Sequence, residues 1–120
     1  MIKLVNKYFP ELTDVQTEKL IILHELFETY GKKINLISNN SLNNFFVEHV
    51  LHSLSISKIK HFSKKEIVLD VGSGGGFPGI PLAIIYPNTN FILIDSISKK
   101  TNMIEKFKTE LSLKNIKVIN

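Results

Sequence analysis

The 120-residue chain has no cysteine, no arginine and no tryptophan. Without cysteine there are no disulfides, thiolate zinc sites, iron–sulfur ligation or cysteine nucleophiles. Without arginine, all fifteen bases are lysine. No forked, bidentate contact to guanine or phosphate is available, only the point charge of an ammonium. The lysine-only usage, with many Ile and Asn and few Ala, reads as base-composition bias rather than as a binding adaptation. Long hydrophobic runs are also missing. The longest, Ile80 to Tyr86, is far short of the ~20 residues a membrane span requires. Met1 to Glu11 has no apolar stretch followed by a small-residue cleavage site, which argues against a secretory signal. A cytoplasmic domain is the expectation.

What is present suits a folded domain: 43% hydrophobic and 22% charged residues, with a net charge of +4. The length fits one domain, or a small cap plus part of a larger fold. A charge this small permits nucleic-acid binding without establishing it. The excess is +3 through Lys65 and +1 after it.

From Thr13 to Tyr30, apolar residues including Leu20, Leu23, Leu26 and Phe27 recur at helical spacing. Thr13 with Gln16 forms a capping-box pattern, and Gly31 is the expected stop. The cluster Ser38-Asn39-Asn40-Ser41 predicts a loop. A second helix is expected from Ser41 to about Ile59, turning Leu42, Phe45, Phe46, His49, Val50 and Leu54 inward. The basic connection Lys58 to Lys65 marks a boundary between a helical cap, 1–65, and a second unit, 66–120. There the texture changes. Glu66 to Val71 reads as a buried parallel strand ending on Gly72, and Phe91 to Asp95 as a second. Helices are expected over Pro78 to Ile85 and, capped by Ser98, over Ser98 to Leu113; Ile116 to Ile119 is a third strand. This is α/β patterning, the first half of a doubly wound, Rossmann-like parallel sheet.

The informative stretch is Asp70-Val71-Gly72-Ser73-Gly74-Gly75-Gly76-Phe77-Pro78-Gly79. A strand that ends on a glycine-rich turn and opens a helix lets backbone approach a ligand closely. Two registers compete. Gly74, Gly76 and Gly79 satisfy the dinucleotide fingerprint Gly-x-Gly-x-x-Gly, and with it an NAD-dependent oxidoreductase. Read from Gly72, the pattern is Asp-x-Gly-x-Gly-x-Gly, which keeps the turn tight. Asp70 would repel a pyrophosphate but attract an amino-acid ammonium, which favours S-adenosylmethionine. Asp95, closing the second strand, suits ribose hydroxyls with either cofactor, and its structural alternative is a helix cap. Gly75 and Gly79 have structural readings as a spacer and a close-packing residue.

Other candidates are weaker. His49 and His52, at i and i+3, lack a third metal ligand, and His49 is expected beside Phe46. His24 reads as solvent-exposed. Lys99 and Lys100 suit either a phosphate backbone or a solvated helix start.

Val68 through Ala83 resembles the bacterial small-subunit ribosomal RNA guanine-N7 methyltransferases, also called glucose-inhibited division protein B. So does Leu93-Ile94-Asp95-Ser96 with the basic pair Lys99-Lys100. Lys33-Ile34-Asn35-Leu36 and the helix carrying His49 and Ser53 are similar to that family's N-terminal region. The most specific part is Phe77-Pro78-Gly79-Ile80-Pro81-Leu82. The resemblance implies methyl transfer from S-adenosylmethionine to N7 of a guanine in 16S rRNA of the small ribosomal subunit. It implies cofactor contacts at Gly72 and Phe77, with Asp95 and Ser96 at the adenosine end; the loop register adds Asp70, Gly74 and Gly76 as cofactor candidates, and Lys99 and Lys100 remain candidates for RNA. No metal, membrane or general base is implied, since guanine N7 carries a lone pair and no proton.

The chain departs from the family pattern at Glu48, where the family has arginine, at His52, where it has aspartate, and at Ser98, where it has glycine. Family members continue past the point matching Asn120 with an Ala-Glu motif, an arginine and further strands. The expectation is therefore a C-terminally truncated or degraded copy, its first strand an exposed apolar edge. The alternative to an enzyme is a non-catalytic remnant that binds RNA or a protein partner.

Overall fold

The computed structural model describes residues 2–120. A short helix α1 (Ile2–Tyr8), which the sequence reading did not foresee, ends just before Pro10 and buries Val5. Helix α2 (Asp14–Leu26) starts at the expected capping box: Gln16 N–H donates to Thr13 Oγ1 at 3.1 Å, and Thr13 N–H to Gln16 Oε1 at 3.0 Å. It widens into a π-type turn over Phe27–Gly31, and Gly31 closes it. A Cβ at Gly31 would lie 2.7 Å from the Phe27 ring.

The second long helix is not continuous. Helix α3 (Asn39–Asn43) stops at Asn44, which leaves helical geometry and donates back to the Asn40 carbonyl at 3.2 Å. A π-type stretch (Phe46–Leu51), the short α4 (His52–Leu54) and a 3-10 turn (Ser55–Lys58) follow. Serines distort the later part of the run. Ser53, Ser55 and Ser57 hydroxyls donate to carbonyls three or four residues back, competing with the regular ladder. Leu42, Phe45, Phe46, Val50 and Leu54 are nonetheless buried as expected.

Strands β1 (Ile67–Val71), β2 (Asn90–Ile94) and β3 (Ile116–Ile119) form a parallel sheet in the order β1-β2-β3. Helix α5 (Gly79–Ile85) joins the first two and α6 (Ser98–Glu110) the last two. This is an α/β fold with N-terminal helices before a parallel sheet. Ile97, without a side-chain cap, precedes α6, so Ser98 is not the cap. Helix α6 ends with Ser112 at φ +52° and Leu113 N–H donating to the Lys108 carbonyl at 3.0 Å, a Schellman-type close. Asn115 Nδ2 ties the α5–β2 turn to β3, with the carbonyls of Ala83, Tyr86 and Thr89 at 2.9–3.0 Å.

Alternate rows of the sheet differ sharply. The Val68–Phe91–Ile116 and Asp70–Leu93–Val118 rows face the helices. The Leu69–Ile92–Lys117 and Val71–Ile94–Ile119 rows face outward, with Ile67, Leu69 and Val71 exposed by 64%, 59% and 74%. Strand β1 is an edge, and one sheet face is bare among the described residues. The N-terminal helices and the sheet share one buried cluster that includes Leu20, Phe27, Phe45, Ile80, Phe91 and Phe107. No helix is long and apolar enough to cross a membrane among the described residues.

Candidate functional site

The glycine loop begins where β1 ends, as the register from Gly72 requires. The N–H groups of Gly72 and Ser73 both donate to the Ile94 carbonyl, at 2.7 and 3.0 Å, so the turn folds over the end of β2. Gly72, Gly74 and Gly76 have φ of +75°, +57° and +91°, a region that disfavours a Cβ. Their surroundings differ. A Cβ on Gly72 or Gly74 would meet nothing within 4 Å, whereas one on Gly76 would collide with Ile80. Gly72 and Gly74 thus line open space, and Gly76 is a packing position.

The remaining two glycines are structural. A Cβ on Gly75 would come 3.1 Å from the Phe27 ring and 3.3 Å from Leu36, so it is a contact rather than a spacer. One on Gly79 would lie 2.7 Å from Leu93 and 2.8 Å from Asp70 Oδ2. The close-packing reading of Gly79 is correct.

Two carboxylates hold the loop from opposite sides. Asp70 belongs to the helix-facing row, and its Oδ2 accepts from Gly79 N–H at 3.0 Å. Burial raises its pKa above the ordinary aspartate value; the bond from Gly79 and the Ser73 hydroxyl oppose this, and the charge of Asp95 adds to it. Asp95 accepts from Ile97 N–H through Oδ1 and from Gly74 N–H through Oδ2, both at 2.9 Å. These bonds, first that of Ile97 and then that of Gly74, hold its pKa below the ordinary value. Asp95 therefore also does what a helix-preceding cap does. Each of its oxygens accepts one of these bonds and keeps lone-pair capacity for a further donor.

Phe77, at a cis Phe77–Pro78 peptide, is half-buried. Its ring lies 5.3 Å from Phe27, 5.8 Å from Phe45 and 4.9 Å from the stacked His49. His49 packs on Phe45 and Phe77, not beside Phe46, and its Nε2 is buried without a hydrogen-bond partner. Burial lowers its pKa; Glu48 opposes the shift and His52 adds to it. Sequence reasoning missed this stacking, because no short-range pattern links positions 49 and 77. A cavity of about 320 Å³ opens beside it, lined by His52, Ser53, Ser55, Ile56, Phe77 and Pro78.

Ser96 and Lys99 are exposed at the rim and Lys100 is half-buried. Lys100 lies near enough to Asp95 to contribute to its lowered pKa. Asp70, Gly72, Gly74, Gly76, Phe77, Asp95 and Ser96 therefore converge on one end of the sheet. Glu48 turns away, accepting from Ser41 Oγ at 2.9 Å. His24 is half-buried rather than exposed, with its ring 5.0 and 5.2 Å from those of Phe45 and Phe46 and its Nδ1 3.2 Å from Glu28.

The fold and the loop define a parallel α/β protein with its candidate ligand site at the carboxyl ends of the strands, where such sheets bind ligands. A family model described as rRNA small subunit methyltransferase G matches residues 16–120, and the chain belongs to that family. It is 54% identical over 102 residues to the ribosomal RNA small subunit methyltransferase G of Karelsulcia muelleri, covering 85% of this chain and 48% of that one. It is 49% identical to the protein of the same name from Flavobacterium johnsoniae, over 94% of this chain and 54% of that one. With the one from Bacteroides fragilis it shares 46% over 96% of this chain and 51% of that one. The chain spans about half the length of these relatives.

Proposed function

We propose that these residues form the S-adenosylmethionine site of a cytoplasmic, Rossmann-like methyltransferase acting on guanine N7 in 16S rRNA of the small ribosomal subunit. The observation that carries the reading is the open backbone at Gly72 and Gly74, at positive φ with no atom within 4 Å of either Cβ position, beside Asp95. Family membership supports the reaction class.

S-adenosylmethionine, when bound, supplies an electrophilic methyl group on a sulfonium sulfur. Gly72 and Gly74 give it room against the backbone. The spare lone pairs of Asp95, ionised at neutral pH, suit ribose hydroxyls, with Ser96 beside them. Asp70 fixes the loop through Gly79, and its carboxylate adds negative charge for an ammonium. Phe77 offers an apolar wall held by three rings of the helical layer. Guanine N7 would take the methyl group with its own lone pair as the carbon–sulfur bond breaks and S-adenosylhomocysteine leaves, so the protein needs to align the two rather than to remove a proton.

Calorimetric titration of S-adenosylmethionine into the chain, beside NAD, tests the reading. Binding of S-adenosylmethionine alone, weakened in Asp95→Asn, is expected. Binding of NAD alone would overturn it in favour of the dinucleotide register.

A further inference from the structure

Helix α6 and the turn after α2 bring two lysines onto one aromatic ring. Lys106 Nζ lies 3.7 Å from the centroid of Tyr30 and Lys33 Nζ lies 5.3 Å from it. Both lysines are exposed and Tyr30 is half-buried, with Phe107 behind it at 6.4 Å. The ring quadrupole attracts each ammonium group. Neither lysine is in an ion pair among the described residues. The ion pairs among the described residues are His24–Glu28 and Lys60–Glu66, and Glu110, one turn beyond Lys106, is not paired with it.

Lys99 extends the line. It lies seven residues before Lys106 on α6, two turns and on the same face, which places the two about 10 Å apart along the axis. The turn carrying Lys33 is also tied to the candidate site, because Leu36 and Phe27 close on Gly75. Three unpaired cations, two of them set on an aromatic, thus run along one side toward the glycine loop.

We propose that Lys33, Lys106 and Lys99, with Tyr30 positioning the first two, form a track for the phosphate backbone of the substrate RNA. Exposed point charges suit the phosphates of a polyanion, and they fix its position without reading its bases. This inference rests on the rRNA-methyltransferase reading above and adds the surface along which the RNA lies. The basic connection at Lys64 and Lys65 precedes β1, at the other end of the sheet from the loop, and is not part of the track.

The test is the salt dependence of binding to a short guanine-containing single-stranded RNA, measured by fluorescence anisotropy on the full chain. Lys33→Gln/Lys106→Gln should lower the slope of log affinity against log salt by about 1.4, and Lys99→Gln by about 0.7. S-adenosylmethionine affinity, read separately by calorimetry, should not change. An unchanged slope in all three positions would overturn the track, as would an equal fall in Lys64→Gln/Lys65→Gln. Failure of the parent chain to bind the RNA would also overturn it. A chain that binds RNA with these slopes but takes no S-adenosylmethionine would instead refute the cofactor reading and leave the track standing.

Discussion

The Phe27 ring, in the π-type turn after α2, lies 5.3 Å from the Phe77 ring in the glycine loop. Phe27 is fully buried and also contacts Phe45 and Phe107, at 5.4 and 5.1 Å. One side chain thus joins the helical layer, the loop and α6.

Phe27→Ala should therefore cost about 3–5 kcal/mol, the range for losing a buried aromatic. Against a total of about 5–15 kcal/mol for a domain, that removes much of the stability. Urea denaturation read by circular dichroism checks it. A midpoint within error of the parent would mean that the layers are not coupled through this ring.

The glycines should separate into two classes. Gly79→Ala pushes a methyl into Leu93 and Asp70 and should destabilise by about 1–3 kcal/mol. Gly72→Ala meets no atom but must hold φ at +75°, a cost of about 1–2 kcal/mol, and its methyl enters the open cradle. Paired denaturation and calorimetry should show loss of stability dominating in Gly79→Ala. In Gly72→Ala, loss of S-adenosylmethionine affinity should dominate.

His49 should make the chain acid-sensitive. Its folded-state pKa is lowered by burial, so below the ordinary histidine value the unfolded chain binds more protons than the folded one. Stability is then complete above that value and declines as pH falls toward the lowered one. His49→Phe keeps an aromatic ring on Phe77 and cannot titrate. Thermal midpoints measured from pH 7 down to pH 5 should fall less steeply in this variant than in the parent. Equal slopes would assign the acid response to other groups.

Much of the architecture was legible because its signals are local. The capping box at Thr13 and Gln16, the strand ending on Gly72 and the three β-rich runs each depend on residues within one turn or one strand. The interrupted helix over 39–58 was not legible, since hydrophobic period alone registers neither Asn44 leaving helical geometry nor serine hydroxyls bonding back to carbonyls. At the site, the glycine register and Asp95 were readable as spacing. The Asp70–Gly79 bond, the rings around Phe77 and the Lys33–Tyr30–Lys106 cluster join distant positions, and only folding reveals them.

The outward rows of the sheet carry a prediction of their own. Leu69 and Val71 stand exposed on an edge strand whose N–H and C=O groups have a partner on one side only. Such edges recruit further strands. Sedimentation velocity should show association that rises with concentration, and Leu69→Lys should suppress it while leaving the helix-facing core intact. Concentration-independent sedimentation of the parent chain would contradict this.

The tethers on the glycine loop also bear on how a ligand would be received. Asp70 holds Gly79, Asp95 holds Gly74, and the Ile94 carbonyl holds Gly72 and Ser73. Ordering backbone costs roughly 1–2 kcal/mol per residue, and here that loss occurs when the chain folds. A ligand then meets a preorganised mould, and little of its binding free energy is spent on freezing the loop. Its occupancy instead feeds back on the whole molecule, raising the free energy of unfolding in step with ligand concentration.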